Sequence, residues 1–409
     1  MYGRELISRR RLLQRGAALA APFAALQARE QDGSAAKPGA AFGEVPVRLV
    51  KAISSAGLLD VSPDSTKLCL YFTRRPFLSF REVGSAWRGS NEPVRDGDDA
   101  LRVINRDSWA STYATRLPSL PFFGSFFADS EAICVEMPAV HEREQRGNEH
   151  VVVSLRTGEK TAHFSPFDAA GTLFVYSALD DRTLLGTGFN RATNKTDVLT
   201  KVEASSFKEI ERVPFAGTPS PSLYQRETFL MVSADRKTFV YTVDHNVVCR
   251  RTDDLGIKWS RETDPILGLS RVAVSAGGGL VAASLRSLPN IPATRPPRIE
   301  VYDGKNGTPI ATIPADAGDT IAISPDGKLL AAGHEVAMQG RRSGTQPTVL
   351  LFEIATGKKL ATLIHDQFRD GGAESLYARF GVNGVIFTPD NKYLITSGLN
   401  TKVWEIGRG

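Results

Sequence analysis

Six histidines, three cysteines and an uneven set of arginines are the residues of this 409-residue chain that could do chemistry. Metal binding needs His, Cys, Asp or Glu at short, regular spacing, and His141, His150, His163, His245, His334 and His365 never fall at such intervals. His141-Glu142 and His334-Glu335 lack the second histidine of a zinc-hydrolase helix. Cys69, Cys134 and Cys249 stand far apart, each inside an apolar run (LCLYF, AICVEM, NVVCRR), and read as small buried hydrophobes. The sequence holds no Gly-x-Ser-x-Gly elbow, phosphate loop or EF-hand, and Gly186-Thr187-Gly188 lacks the third glycine of a dinucleotide fingerprint. These patterns predict no catalytic residue, no metal site and no cofactor. His365-Asp366 is the one adjacent acid–base pair in a long loop, with a solvated loop pair as the plainer reading.

The arginines are more informative. The stretches 81–100, 138–149, 285–297, 334–347 and 364–383 hold eleven arginines and no lysine, although the chain has 35 and 15. A planar guanidinium fork binds carboxylate or phosphate bidentately, which an ammonium does not. The same stretches hold twelve Asp and Glu, so Arg–carboxylate pairs that stiffen the loops are the competing explanation. Arg88, Arg143, Arg146, Arg341, Arg342 and Arg369, with His365, are the candidate binding residues.

The elements that must position them repeat along the chain. Thr320–Gly333 (TIAISPDGKLLAAG) reads as a strand, a tight Ser-Pro-Asp-Gly turn and a second strand. Val349–Ala361 (VLLFEIATGKKLA) adds two more around an Ala-Thr-Gly-Lys turn. Four antiparallel strands in this order make one propeller blade. The unit recurs with turn anchors at Asp64, Asp129, Asp181, Asp235, Gly277, Asp326 and Asp390, where Asp181 is preferred to Asp168 because it leaves room for every strand. The last copy stops at its third strand, Lys402–Glu405, and Val45–Val50 (VPVRLV) is expected to supply the fourth and close the ring.

The fold class expected is therefore all-β: a seven-bladed β-propeller of four-stranded antiparallel blades over residues 45–406, closed by an N-terminal strand. Over that range the pattern resembles the WD-repeat superfamily, most closely in the last two blades. Trp404-Glu405, Tyr302-Asp303 and Phe352-Glu353 stand where a Trp-Asp pair would be, while no Gly-His opens a repeat. The long arginine-bearing stretches fall between second and third strands or between blades. Antiparallel winding gathers these on one face, the usual place for a repeat protein's ligand.

The N-terminus carries a separate message. Arg4, Arg9, Arg10, Arg11 and Arg15 precede an eleven-residue apolar stretch, Gly16 to Leu26, too short to span a bilayer, and Leu26-Gln27-Ala28 offers a cleavage point. Ser8-Arg9-Arg10-Arg11-Leu12-Leu13-Gln14 resembles the twin-arginine export motif, with Arg9 and Arg10 as its pair. That resemblance implies a bacterial periplasmic or secreted protein that folds before export and meets the export machinery through this signal. Residues 1–28 are thus expected to be a signal peptide and 29–44, rich in Gly, Ala and charge, a flexible linker. Of the net charge of +5, four belong to residues 1–28, and the remainder carries +1. The basic balance therefore gives no support for a nucleic-acid partner. No cysteine flanks the cleavage region, and no membrane anchor is expected.

These features point to an exported, non-enzymatic scaffold or recognition protein that binds a protein, peptide or glycan on its long-loop face. The alternative is a hydrolase or isomerase similar to propeller lactonases, which share repeats such as ISPDGKLLAAG, with a site at the channel mouth. A redox propeller holding quinone or copper has the least support, because histidines are few.

Overall fold

The computed structural model describes residues 45–54, 56–72, 100–116, 123–138, 148–164, 172–190, 195–215, 230–243, 245–287, 295–315, 318, 320–336, 347–365, 380–382, 384–398 and 400–407. The expected signal and linker lie outside them. All regular structure among them is strand, and it forms seven four-stranded antiparallel sheets in the arrangement of a seven-bladed β-propeller, with one further two-stranded sheet.

Six blades are each built from four strands taken in chain order, inner to outer. Blade 1 is Ala56–Val61, Lys67–Phe72, Ala100–Asn105 and Ser111–Arg116. Blade 2 is Phe123–Phe126, Ala132–Pro138, Asn148–Ser154 and Lys160–Phe164, and blade 3 is Thr172–Ala178, Thr183–Asn190, Lys195–Glu203 and Glu209–Pro214. Blade 4 comprises Leu230–Val232, Thr238–Val243, Asn246–Arg251 and Ile257–Glu262, and blade 5 Leu267–Val274, Leu280–Ser287, Arg298–Asp303 and Pro309–Pro314. Blade 6 follows with Thr320–Ile323, Leu329–Gly333, Thr348–Glu353 and Lys359–Ile364.

Blade 7 differs. Gly384–Phe387, Tyr393–Ser397 and Thr401–Ile406 supply three strands, and Val47–Ile53 supplies the outer one. Its register runs from Val47 opposite Ile406 to Ile53 opposite Thr401, with a bulge between Leu49 and Lys51. The closing strand thus extends three residues further along the chain than the expected Val45–Val50. Arg48 Nε donates to Glu405 Oε2 at 3.0 Å, but this exposed pair is worth at most about 1 kcal/mol. The backbone ladder and the packing of Val45, Val47 and Ile53 against neighbouring cores hold the strand.

The molecule has no single core. Seven apolar clusters fill the seven junctions between blades. Cys69, Leu101 and Val103 of blade 1 meet Phe126, Ile133 and Val135 of blade 2, for example, and Ile395 and Val403 of blade 7 meet Ala56, Leu68 and Leu70 of blade 1. Each cluster is lined by two sheet faces, so strand alternation divides every blade's apolar residues between two neighbours. All three cysteines are buried and none is in a disulfide.

The turns between first and second strands follow one chemical plan. Ser62 Oγ and the Thr66 N–H both donate to Asp64 Oδ1, and Ser62 Oγ accepts from Lys67 N. Asp326 and Asp390 take the same bonds. In six blades the residue after the anchor is left-handed: Ser65, Ser130, Arg236 and Asn391 have φ near 60°, and Gly278 and Gly327 occupy the same place. In blade 3 the turn falls where expected, but Asp180, one residue earlier than Asp181, accepts from Arg182 N and Thr183 N.

Gly277 stands at the anchor position of blade 5, where a Cβ would meet nothing within 4 Å. Gly277→Asp is expected to install the missing acceptor and also to reduce the freedom of the unfolded chain, raising stability by about 0.5–1 kcal/mol. A urea-denaturation midpoint that falls, with an unchanged slope, would contradict this account of the turns.

Candidate functional site

Antiparallel winding places the two short turns of every blade on one face and all other connections on the opposite face. The short-turn face is committed to its own structure. Asp64 N donates to Ser130 Oγ of the next blade, Asp390 N to Ser65 Oγ, and Asn391 Nδ2 to Asp326 Oδ2. Lys67 Nζ reaches Ser130 O and Glu131, and Arg106 bonds Asp390 Oδ2 at 2.5 Å while lying over the Tyr393 ring. The Asp390 carboxyl lies below the ordinary range: burial works against the charge, but Thr388, Arg106 and the Lys392 N–H outweigh it.

The opposite face carries the insertions, and the structure shows how two of them are rooted. Glu335–Val336, leaving the second strand of blade 6, pairs with Phe380–Gly381, which enters blade 7. His334 N donates to Thr348 O, and Val382 N donates to His334 O. Val382 is fully buried, and a Cβ on Gly333 would lie 2.6 Å from Thr320 and 2.9 Å from Val382. The segments that contain Arg341, Arg342 and Arg369 in sequence therefore share a clasped base. Blade 5 has a different clamp. Asp264, before its inner strand, accepts from Ile266 N and from Arg295 and Arg298, at 3.1, 2.5 and 3.2 Å. Burial opposes the Asp264 charge, but these donors hold its carboxyl below the usual range. Arg295, one of the loop arginines, thus serves the Arg–carboxylate stiffening that the sequence also allowed. A further long stretch of sequence, 215–229, separates the last strand of blade 3 from the first of blade 4, and no repeat signal marks it.

Of the candidate residues, Arg88, Arg143, Arg146, Arg341, Arg342 and Arg369 lie outside the described residues, as do Arg9 and Arg10 of the export motif. His365 is described, and it points inward, only 2% exposed. Its Nε2 lies 2.6 Å from Thr396 Oγ1, which also accepts from Trp404 Nε1 at 2.8 Å. The hydroxyl links the end of blade 6 to the second and third strands of blade 7. His365 is therefore a strut beneath the loop face, not a group presented on it.

His150 plays a comparable part between blades 2 and 3. It is fully buried, accepts from Tyr176 N at 3.3 Å, and meets the Tyr176 ring edge-on with centroids 5.1 Å apart. Burial pushes its pKa down to about 3, so it is neutral at physiological pH. Tyr176 also explains the first glycine of the pair noted in the sequence, since a Cβ on Gly186 would stand 2.5 Å from its ring. Single-chain periodicity gives no sign of these histidine struts, because their partners lie 26 and 31 residues away. Among the described residues no group of three or more His, Cys, Asp or Glu is arranged to hold a metal ion.

No protein-family model matches the chain, and no curated protein does. Among solved structures it is similar to the β-propeller domain of Cps50 (Swd1) from Myceliophteria thermophila. The TM-score is 0.56 at 10% identity, over 88% of this chain and all of that one. At that identity the likeness shows the fold alone.

Two outcomes are expected from the struts. Thr396→Val leaves both His365 and Trp404 without their shared oxygen and is expected to cost about 2–4 kcal/mol in urea denaturation, whereas Thr396→Ser costs less than half as much. Because the folded pKa of His150 lies below its ordinary 6.5, the stability linked to it is complete above pH 6.5 and is lost as pH falls toward 3. His150→Gln keeps an acceptor for Tyr176 without titrating, so from pH 7 to 5 the stability difference should move toward the variant by about 2 kcal/mol. Parallel stability–pH curves for the two proteins would contradict this.

Proposed function

We propose that this protein is an exported, non-enzymatic propeller that holds a protein, peptide or glycan on its long-loop face. The observation that carries the reading is the difference between the two faces. Polar groups of the short turns are spent on stitching blade to blade, whereas the opposite face receives every long connection and pins two of them in a shared antiparallel clasp. Paired roots of this kind hold ligand-contacting segments at a fixed separation, which lowers the ordering cost of binding. Arg88, Arg143, Arg146, Arg341, Arg342 and Arg369 are the residues proposed to contact the ligand, through bidentate bonds to carboxylate or sulfate-type groups. His365 is left out of that set because it is committed to Thr396 and Trp404.

The leader is proposed to send the folded domain through the twin-arginine route. A buried core whose cysteines form no disulfide suits export after folding, since it needs no such bond made outside the cell.

The expected result on an array of acidic peptides and sulfated glycans is saturable binding, weakened at least about tenfold when Arg341, Arg342 and Arg369 become Ala, with the melting temperature unchanged. Turnover of a lactone that disappears in Arg342→Ala would replace this reading with the hydrolase. For export, Arg9→Lys with Arg10→Lys should leave the protein in the cytoplasmic fraction. Unchanged export of that variant would remove the twin-arginine assignment.

A further inference from the structure

An inner propeller strand pairs along one edge only, so alternate N–H and C=O groups of its other edge point to the central channel without a strand partner. In blade 2, Phe127 N donates to Ala132 O across the ladder, which leaves the N–H and C=O of Phe126 on the open edge. Two side chains from other blades take these groups. Asp60, on the inner strand of blade 1, accepts from Phe126 N at 2.8 Å through Oδ2 and from Val61 N at 2.8 Å through Oδ1. Arg236, in the first turn of blade 4, donates Nη2 to Phe126 O at 3.2 Å and Nη1 to Ala178 O of blade 3 at 2.8 Å. Arg236 is held in the left-handed region, φ 58°, at the turn position where two other blades use glycine. The two side chains therefore take both main-chain groups of one residue, Phe126, on its open edge and connect four consecutive blades at the short-turn end of the channel.

We propose that Asp60 and Arg236 form a proton-sensitive latch that ties the inner strands of the first four blades together. The charged and titratable neighbours fit this role. Arg236 is the cation that favours an ionised Asp60, and Asp180 and Asp181 of blade 3 balance Arg236 in turn. Cys69 stands opposite Asp60 in the ladder, its thiol kept neutral by burial and by the carboxylate. Desolvation outweighs the two backbone bonds and Arg236, and it pushes Asp60 up to about 6. An opened latch returns Asp60 to water and to its ordinary value of 3.8. The closed state thus holds the proton more tightly, so the latch is tightest below pH 3.8 and loosens as pH rises through about 6. The latch is independent of what the loop face binds.

Hydrogen exchange followed by mass spectrometry on the full chain tests this, with peptides covering 123–135 and 172–185 compared with 320–332 of blade 6. In the native protein, protection in 123–135 should rise about tenfold from pH 7 to pH 5, after correction for intrinsic rates. Asp60→Asn should abolish that rise. Arg236→Lys keeps one charge but cannot span two carbonyls, and should speed exchange about tenfold in the first two peptides while leaving 320–332 unchanged. Protection that does not change with pH in the native protein, or changes equally in Asp60→Asn, overturns the proton-sensitive part. Exchange in Arg236→Lys that is unaltered, or accelerated equally in all three peptides, overturns the latch. Should Arg236→Lys fail to fold, the native and Asp60→Asn profiles still decide the question.

Discussion

The seven apolar junctions persist only in a closed ring, and the pairing of Val47–Ile53 with Thr401–Ile406 is what closes it. An open arc would expose two sheet faces, one of them lined by Ala56, Leu68 and Leu70 and the other by Ile395 and Val403. Burying a single such leucine or isoleucine is worth about 1.5–3 kcal/mol, so one lost junction costs as much as many small proteins have in reserve. The closing strand gains little from its visible ion pair. Its importance lies in joining the two ends of the chain, so that every junction supports its neighbours.

A second constraint follows from closure. Shutting the ring leaves seven inner edges facing the central channel, and the unpaired backbone groups there need partners. Ser397 Oγ accepts from Leu58 N across the closure, Asp60 from Phe126 N, and His150 Nε2 from Tyr176 N. Each is a side chain reaching from one blade to the inner strand of the next. The titratable ones respond to pH in opposite directions, because burial neutralises an acid by raising its pKa and a histidine by lowering it. Acid pH therefore tightens the first junction at Asp60 while it loosens the second at His150.

Repetition made the architecture readable from sequence. The Ser-Pro-Asp-Gly turn at Asp326 and its relatives at Asp64 and Asp390 encode both a turn geometry and its hydrogen bonds, so seven blades and the donor of the last strand follow from local chemistry. Where a turn is degenerate the local signal shifts. Asp180 and Asp181 are adjacent, and only the bonds from Arg182 N and Thr183 N identify the first as the anchor. His365 shows the limit of local reading for the site. Beside Asp366 it reads as a loop acid–base pair, but the oxygen that fixes it is on Thr396, two strands away. Arg236 likewise reads as one more turn residue, since its partners on Ala178 and Phe126 belong to other repeats.

The division of labour between the faces depends on the ring as well: short turns stitch the blades, and the insertions gather opposite them on a base that closure holds rigid. The most direct measurement of that central claim is a cross-link at the closure. Arg48 and Glu405 are register partners, and paired antiparallel residues sit about 4.5–5.5 Å apart, within reach of a disulfide. Arg48→Cys combined with Glu405→Cys is expected to oxidise in the native state to a bond within one chain, seen as a shifted band without reductant, and to raise the melting temperature. A folded protein that forms no such bond, or forms it only between chains, would contradict closure by the N-terminal strand.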